Sequence, residues 1–273
     1  MRFFFALWFL SSVSLVASEF SLEFFIGEEK VKSVNLRELK KKLKIYKISF
    51  ESSHYEKVKN YHAFKLHDVM DFSFQEKWRN EEEYPTAVFT ALDGYSPQGE
   101  IEKMLEKDGY LAFEDLDVEG ENEWEKTKEH KSDPAPYFLV WTDPKKTVKE
   151  AYPWPWQIKK ISLLNFKEAY PKVYPAGDVK KDSAVFRGYT TFKEQCFRCH
   201  AMDKQGGVIG PDLGAPQTIT DYRLESELKK FIRNPELFRY SHMPSHEHLT
   251  EKELDEMIAY FKHQSQNKKR TKR

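Results

Sequence analysis

The sequence predicts two folded units in tandem, an α+β domain followed by a small all-α domain. Three observations carry this. The chain has 273 residues, enough for one large domain or two ordinary ones. Its first half mixes strand-like apolar runs with short helical ones, whereas from about Asp182 the apolar residues recur at helical spacing. Between the two lies Lys172–Lys181, which carries Pro175 and Gly177 and reads as an interdomain linker. The expected boundaries are 1–18 for a leader, 19–171 for the α+β domain, 172–181 for the linker, 182–265 for the all-α domain and 266–273 for a basic tail.

In the first domain, strands are expected at Leu22–Ile26, Ile45–Phe50, Thr86–Ala91, Tyr137–Trp141 and Ile158–Leu164. Short helices fit Leu36–Leu43, Leu66–Met70 and Ile101–Glu106, with Asn35 as a cap for the first and Ser96 opening the turn into the third. Val118–Asp133 is strongly charged and reads as a loop. The Pro-rich run Tyr152–Trp156 leads into the last strand, and its Trp154 and Trp156 are expected to pack on the linker, a binding lip being the alternative. Asp93-Gly94 reads as a turn. His54, His62, His67 and His130 lack metal-ligand spacing on a helical face, and Glu81-Glu82-Glu83 reads as a solvated face.

In the second domain, Asp182 or Ser183 can cap a helix running from Val185 into Cys196. A Gly-rich loop, Gly206–Gly214, precedes a helix over Asp221–Arg233 with Leu224, Leu228, Phe231 and Ile232 on one face. After the loop Tyr240–Pro244, Thr250 and Glu253 form a capping box for the last helix. Leu254, Met257, Ile258 and Phe261 recur at i, i+3, i+4 and i+7, which predicts a core stripe.

Lys+Arg 44 balances Asp+Glu 44, so the chain as a whole gives no reason to expect nucleic-acid binding. From Asp178 to Arg273, 18 basic residues face 14 acidic ones, and Lys268–Arg273 carries the excess. That tail reads as a solvated end, with docking to an acidic partner or anionic lipid as the alternative. Met1-Arg2, the apolar Phe3–Leu10 and the small residues up to Ala17-Ser18 describe a secretory signal peptide. The apolar run is short for a membrane span, and an uncleaved anchor is the alternative.

Both cysteines of the chain fall in Cys196-Phe197-Arg198-Cys199-His200. C-x-x-C-H is the attachment signature of a c-type haem: two thiols tether the porphyrin edge and the adjacent imidazole reaches the iron. Half of a zinc site would need further Cys or His ligands at matching spacing. Haem attachment agrees with export, since it takes place outside the bacterial cytoplasm.

Residues Asp182 to His263 resemble class I cytochrome c. The order of helix, C-x-x-C-H, Gly-Pro-x-Leu loop, ligand-bearing loop and last helix is that of the family, and Gly188, Phe192, Met257 and Tyr260 match its crossing pair of helices. The resemblance implies one covalent haem c on Cys196 and Cys199, with His200 as proximal ligand, Pro211 as acceptor for its second nitrogen and Met243 as distal ligand. His242, His246 and His248 stand as alternatives to Met243. Two filled axial positions imply single-electron transfer between redox partner proteins and no catalysis.

The first domain resembles, more loosely, the molybdopterin-binding domain of the sulfite-oxidase family. The stretches concerned are Tyr61–Met70, Thr90–Tyr95, Tyr110–Phe113 and the closing Trp156-x-Ile158-x-x-Ile161. That family ligates molybdenum through a cysteine, and this domain has none. Molybdenum chemistry is therefore not expected, and molybdopterin itself is a minor alternative. The resulting expectation is a periplasmic monohaem carrier whose first domain docks partners or binds a ligand. The alternatives are a haem relay of an oxidoreductase, a haem-based sensor, and a protein anchored to the outer face of the inner membrane.

Overall fold

The computed structural model describes residues 20–52, 54–120, 123–127, 131–147, 152–241 and 243–271. The expected leader, His130, His242 and the last two residues of the basic tail lie outside the described residues.

Strands β1 (Ser21–Ile26), β2 (Glu29–Asn35), β5 (Thr86–Ala91), β6 (Gln98–Glu100) and β9 (Ile158–Leu164) form one sheet in the order β2-β1-β9-β5-β6. β1 runs parallel to β9, and the other pairs are antiparallel. Strands β3 (Tyr46–Ser52), β4 (Lys57–Lys65), β7 (Gly109–Asp115) and β8 (Phe138–Trp141) form an antiparallel sheet in that order. Helices α1 (Leu36–Lys42), α2 (Leu66–Phe74), α3 (Ile101–Met104) and α4 (Phe166–Ala169) connect them. Asn35 caps α1 by accepting the Glu38 N–H at 2.9 Å. Glu100, and not Ser96, stands at the N-terminus of α3.

Alternation along the strands sets the layers. Leu22, Phe24, Phe89, Ile161 and Leu163 of the five-stranded sheet share a core with Phe64, Leu111, Leu139 and Trp141 of the other sheet and with Val69 and Met70 of α2. The outer face of the four-stranded sheet is closed by tryptophans of the Pro-rich run: Trp154 lies 5.6 Å from Phe50 and Trp156 lies 5.9 Å from Phe138. These two tryptophans thus pack on the sheet and not on the linker. Lys59, with a fully buried side chain, is held by Asp115 at 2.8 Å and by Glu125 at 2.8 Å, which ties part of the charged loop to β4 and β7.

The alternate residues of the five-stranded sheet, Val88 and Leu164, point the other way and join a core made by the C-terminal half. That half comprises α5 (Ala184–Thr191), a small hairpin β10 (Ala201–Met202) and β11 (Gln205–Gly206), α6 (Glu225–Arg233) and α7 (Glu251–Thr271). Leu254, Met257, Ile258 and Phe261 of α7 are buried, as their spacing predicts. Residues 172–181 are not a free connection: Val173 is fully buried, and its carbonyl accepts the Tyr260 hydroxyl at 2.6 Å. Helix α6 begins later than its apolar pattern suggests. A 3-10 turn at Ile219–Asp221, closed by a Thr218–Asp221 capping box, precedes it, and Leu224 is 73% exposed. Among the described residues no helix is long and apolar enough to cross a membrane.

Candidate haem-binding site

Ser183 starts α5 by accepting the Phe186 N–H at 3.2 Å. The helix then widens into a π turn over Phe192–Cys196, closed by the Phe197 N–H on the Phe192 carbonyl at 2.9 Å. The Cys196 carbonyl accepts the N–H groups of Cys199 (3.0 Å) and His200 (2.9 Å). One tight turn therefore brings both thiols and the imidazole together, through backbone bonds that span only a few residues.

The Gly-rich loop folds back over this turn. The Gly207 N–H donates to the Phe197 carbonyl at 3.0 Å, and the Gly210 N–H donates to the Cys199 carbonyl at 2.8 Å. His200 Nδ1 donates to the Pro211 carbonyl at 2.8 Å. A Cβ on Gly210 would stand 2.6 Å from that same Nδ1, so only glycine lets the loop backbone lie on the ring. The bond fixes the tautomer and leaves Nε2 as the basic nitrogen. Burial lowers the His200 pKa, the Pro211 carbonyl opposing it, and so favours the neutral imidazole that a metal needs. Cys196 and Cys199 form no disulfide; burial pushes the Cys196 thiol up to about 12 and raises Cys199 as well.

These residues fit a c-type haem. The donor set is two unpaired thiols and an imidazole with one nitrogen anchored. The segments beyond it expose Val208, Ile209, Leu224, Leu237 and Tyr240, apolar surface of the kind that a porphyrin covers.

Met243 lies half-buried in its loop, where its N–H donates to the Ser241 hydroxyl at 3.1 Å. Of its competitors, His246 is buried, with its N–H shared between the Ile232 and Arg233 carbonyls, and His248 is exposed. Met202 is fully buried in the core. The histidines of the first domain have other surroundings. His62 bonds Glu114 at 2.9 Å, His67 packs edge-on to Trp78 and His54 packs edge-on to Trp156. No group of three or more His, Cys, Asp or Glu among the described residues is placed to hold a metal ion.

Sequence reasoning missed the residues that brace this turn from the first domain. Phe197 packs edge-on against Phe166 and Tyr170, each at 4.8 Å, and Lys193 pairs with Glu100 at 2.5 Å. No local pattern signals these contacts, since the partners are remote in the chain.

Residues 183–261 match the family model described as cytochrome c oxidase, cbb3-type, subunit III. This part of the chain is a class I c-type cytochrome domain, preceded by an α+β region built on sheets. No curated protein matches the chain. A cytochrome c domain implies haem c and the passing of electrons to redox partners.

Proposed function

We propose that this protein is an exported carrier of single electrons with one covalent haem, in which the first domain docks a partner protein. Haem c, when bound, supplies a one-electron iron couple. The observation that carries the reading is the anchored His200 imidazole, set by its bond to Pro211 on the same turn as two free thiols. In this reading Cys196 and Cys199 would tether the ring, and His200 and Met243 would hold the iron. A thioether is a soft donor that favours Fe(II), which raises the potential. Export to the periplasm rests on the leader-like composition of residues 1–18.

The first domain is proposed as a relative of the sulfite-oxidase-type fold that has lost its metal chemistry. The loss of metal chemistry is supported by both cysteines of the chain lying at positions 196 and 199, so that the domain offers no thiolate to molybdenum. An enzymatic relay is the alternative that the same experiment tests. The protein is expressed with a haem-maturation system, fractionated from the periplasm and analysed for iron, molybdenum, pterin and covalent haem. One iron per chain, a c-type spectrum and no pterin is the expected result. Stoichiometric molybdenum or pterin would move the reading to an oxidoreductase.

A further inference from the structure

The chemistry of C-x-x-C-H uses the cysteines and the histidine and leaves the two intervening side chains free. In this chain both intervening residues are held by the first domain. Phe197, 1% exposed, packs edge-on against both Phe166 and Tyr170 at 4.8 Å, and those two rings lie 4.9 Å from each other, so the three form a closed aromatic triangle. The Arg198 carbonyl accepts the Ser96 N–H at 3.2 Å, and its guanidinium reaches the Tyr95 hydroxyl at 3.4 Å. One turn earlier, the Lys193 carbonyl accepts the Gln98 side-chain amide at 2.6 Å, while the Lys193 ammonium pairs with Glu100 at 2.5 Å. The grip thus comes from two separate places, the β5–β6 hairpin and the β9–α4 corner.

We infer that the first domain is a positioning element for the haem-attachment turn, which shields the thioether side from water and thereby sets the reduction potential. The inference rests on the reading that Cys196 and Cys199 carry haem. Its physical basis is that solvent at the cofactor edge stabilises the more highly charged ferric state, so a cover raises the potential and its loosening lowers it. Two charges in the clamp make the idea separable from plain electrostatics. Lys193→Glu and Glu100→Lys each break the ion pair but change the local charge in opposite directions.

The experiment compares the full-length, haem-matured wild type with K193E, E100K and the double swap, measuring covalent haem content and midpoint potential. Positioning predicts that both single variants keep their haem and both move the midpoint down. The expected size is about threefold in the equilibrium constant, or about 28 mV at 59 mV per tenfold for one electron. The double swap restores the wild-type value. Shifts of opposite sign, or no shift, overturn the proposal while leaving the haem reading intact. A wild-type chain that matures without covalent haem overturns that reading, and the proposal with it. Should a charge variant fail to mature, Phe166→Leu carries the test without altering charge: a lower midpoint supports the proposal, and an unchanged one overturns it.

Discussion

Gly188 of α5 and Glu256 of α7 touch backbone to backbone. A Cβ on Gly188 would overlap the Glu256 carbonyl and stand 2.8 Å from the Met257 nitrogen. The neighbouring Arg187 guanidinium bonds the Glu256 carboxylate at 2.7 Å and fixes the crossing. A methyl group here must push two helices apart, and overpacking of this kind costs about 1–3 kcal/mol. Gly188→Ala is therefore expected to lower the unfolding free energy by that amount, seen as a lower urea midpoint with an unchanged m-value in unfolding of the haem-loaded protein. Gly188→Val is expected to cost more.

Met243→Ala tests the distal ligand. The variant is expected to retain covalent haem, to lose the long-wavelength absorption band of methionine-ligated ferric haem, and to have a lower midpoint potential. His246→Ala is expected to keep the band. A band that survives loss of Met243 and disappears with His246 would transfer the role to the histidine.

Asp212 organises the loop behind His200. Its carboxylate accepts the N–H groups of Lys204 (2.6 Å), Gly214 (2.7 Å), Ala215 (2.9 Å) and Asp203 (3.1 Å). Burial alone would raise its pKa, but these four donors outweigh burial and hold it below the ordinary 3.8. A carboxylate depressed in the folded state contributes stability that is present above its unfolded pKa and is lost as pH falls through the folded value. Asp212→Ala is expected to cost about 1.5–3 kcal/mol at neutral pH, since hydrogen bonds to a charged group are involved. Its stability is also expected to fall less steeply than that of the wild type below pH 3.8, the ordinary value of this carboxyl. Thermal unfolding as a function of pH provides both readings.

Lys59 is a fully buried cation of the first domain. Burial would lower its pKa, but hydrogen bonds to Asp115 and Glu125 outweigh this and raise it above the ordinary 10.5. A cation raised in the folded state contributes stability that is fully present below its unfolded pKa and is lost as pH rises through the folded value. Lys59→Met leaves Asp115, with its fully buried side chain, without its ammonium partner. Breaking one side of a buried pair costs about 3–5 kcal/mol. The loss is expected in the denaturant midpoint of the first domain, followed by tryptophan fluorescence, because Trp124 adjoins Glu125 and packs 5.5 Å from Tyr61.

Much of the haem-binding turn was legible because its determinants are local. Ser183 and Thr250 cap helices through bonds to residues three positions on, and the bond from His200 to Pro211 spans eleven positions. The first domain was less legible. β2, with the sequence Glu-Lys-Val-Lys-Ser-Val-Asn, carries little apolar signal and is a strand because it pairs with β1 at the sheet edge. β6 is three residues long, too short for any period to register. The residues expected to form a linker read as a polar connection, yet Val173 enters the core, where its backbone carbonyl is the acceptor for Tyr260.

By itself the sequence determined the thiol-thiol-imidazole turn, the caps of the terminal helices and the apolar stripe of α7, since each follows from residue types within a few positions of one another. The tertiary structure alone decided that Val88 and Leu164 face the cytochrome core while Phe89 and Leu163 face away from it. It also decided that Phe166 and Tyr170 close on Phe197. The reason is that strand alternation offers two faces for burial, and only the pairing of remote strands and the packing of one half on the other select which neighbour each face meets.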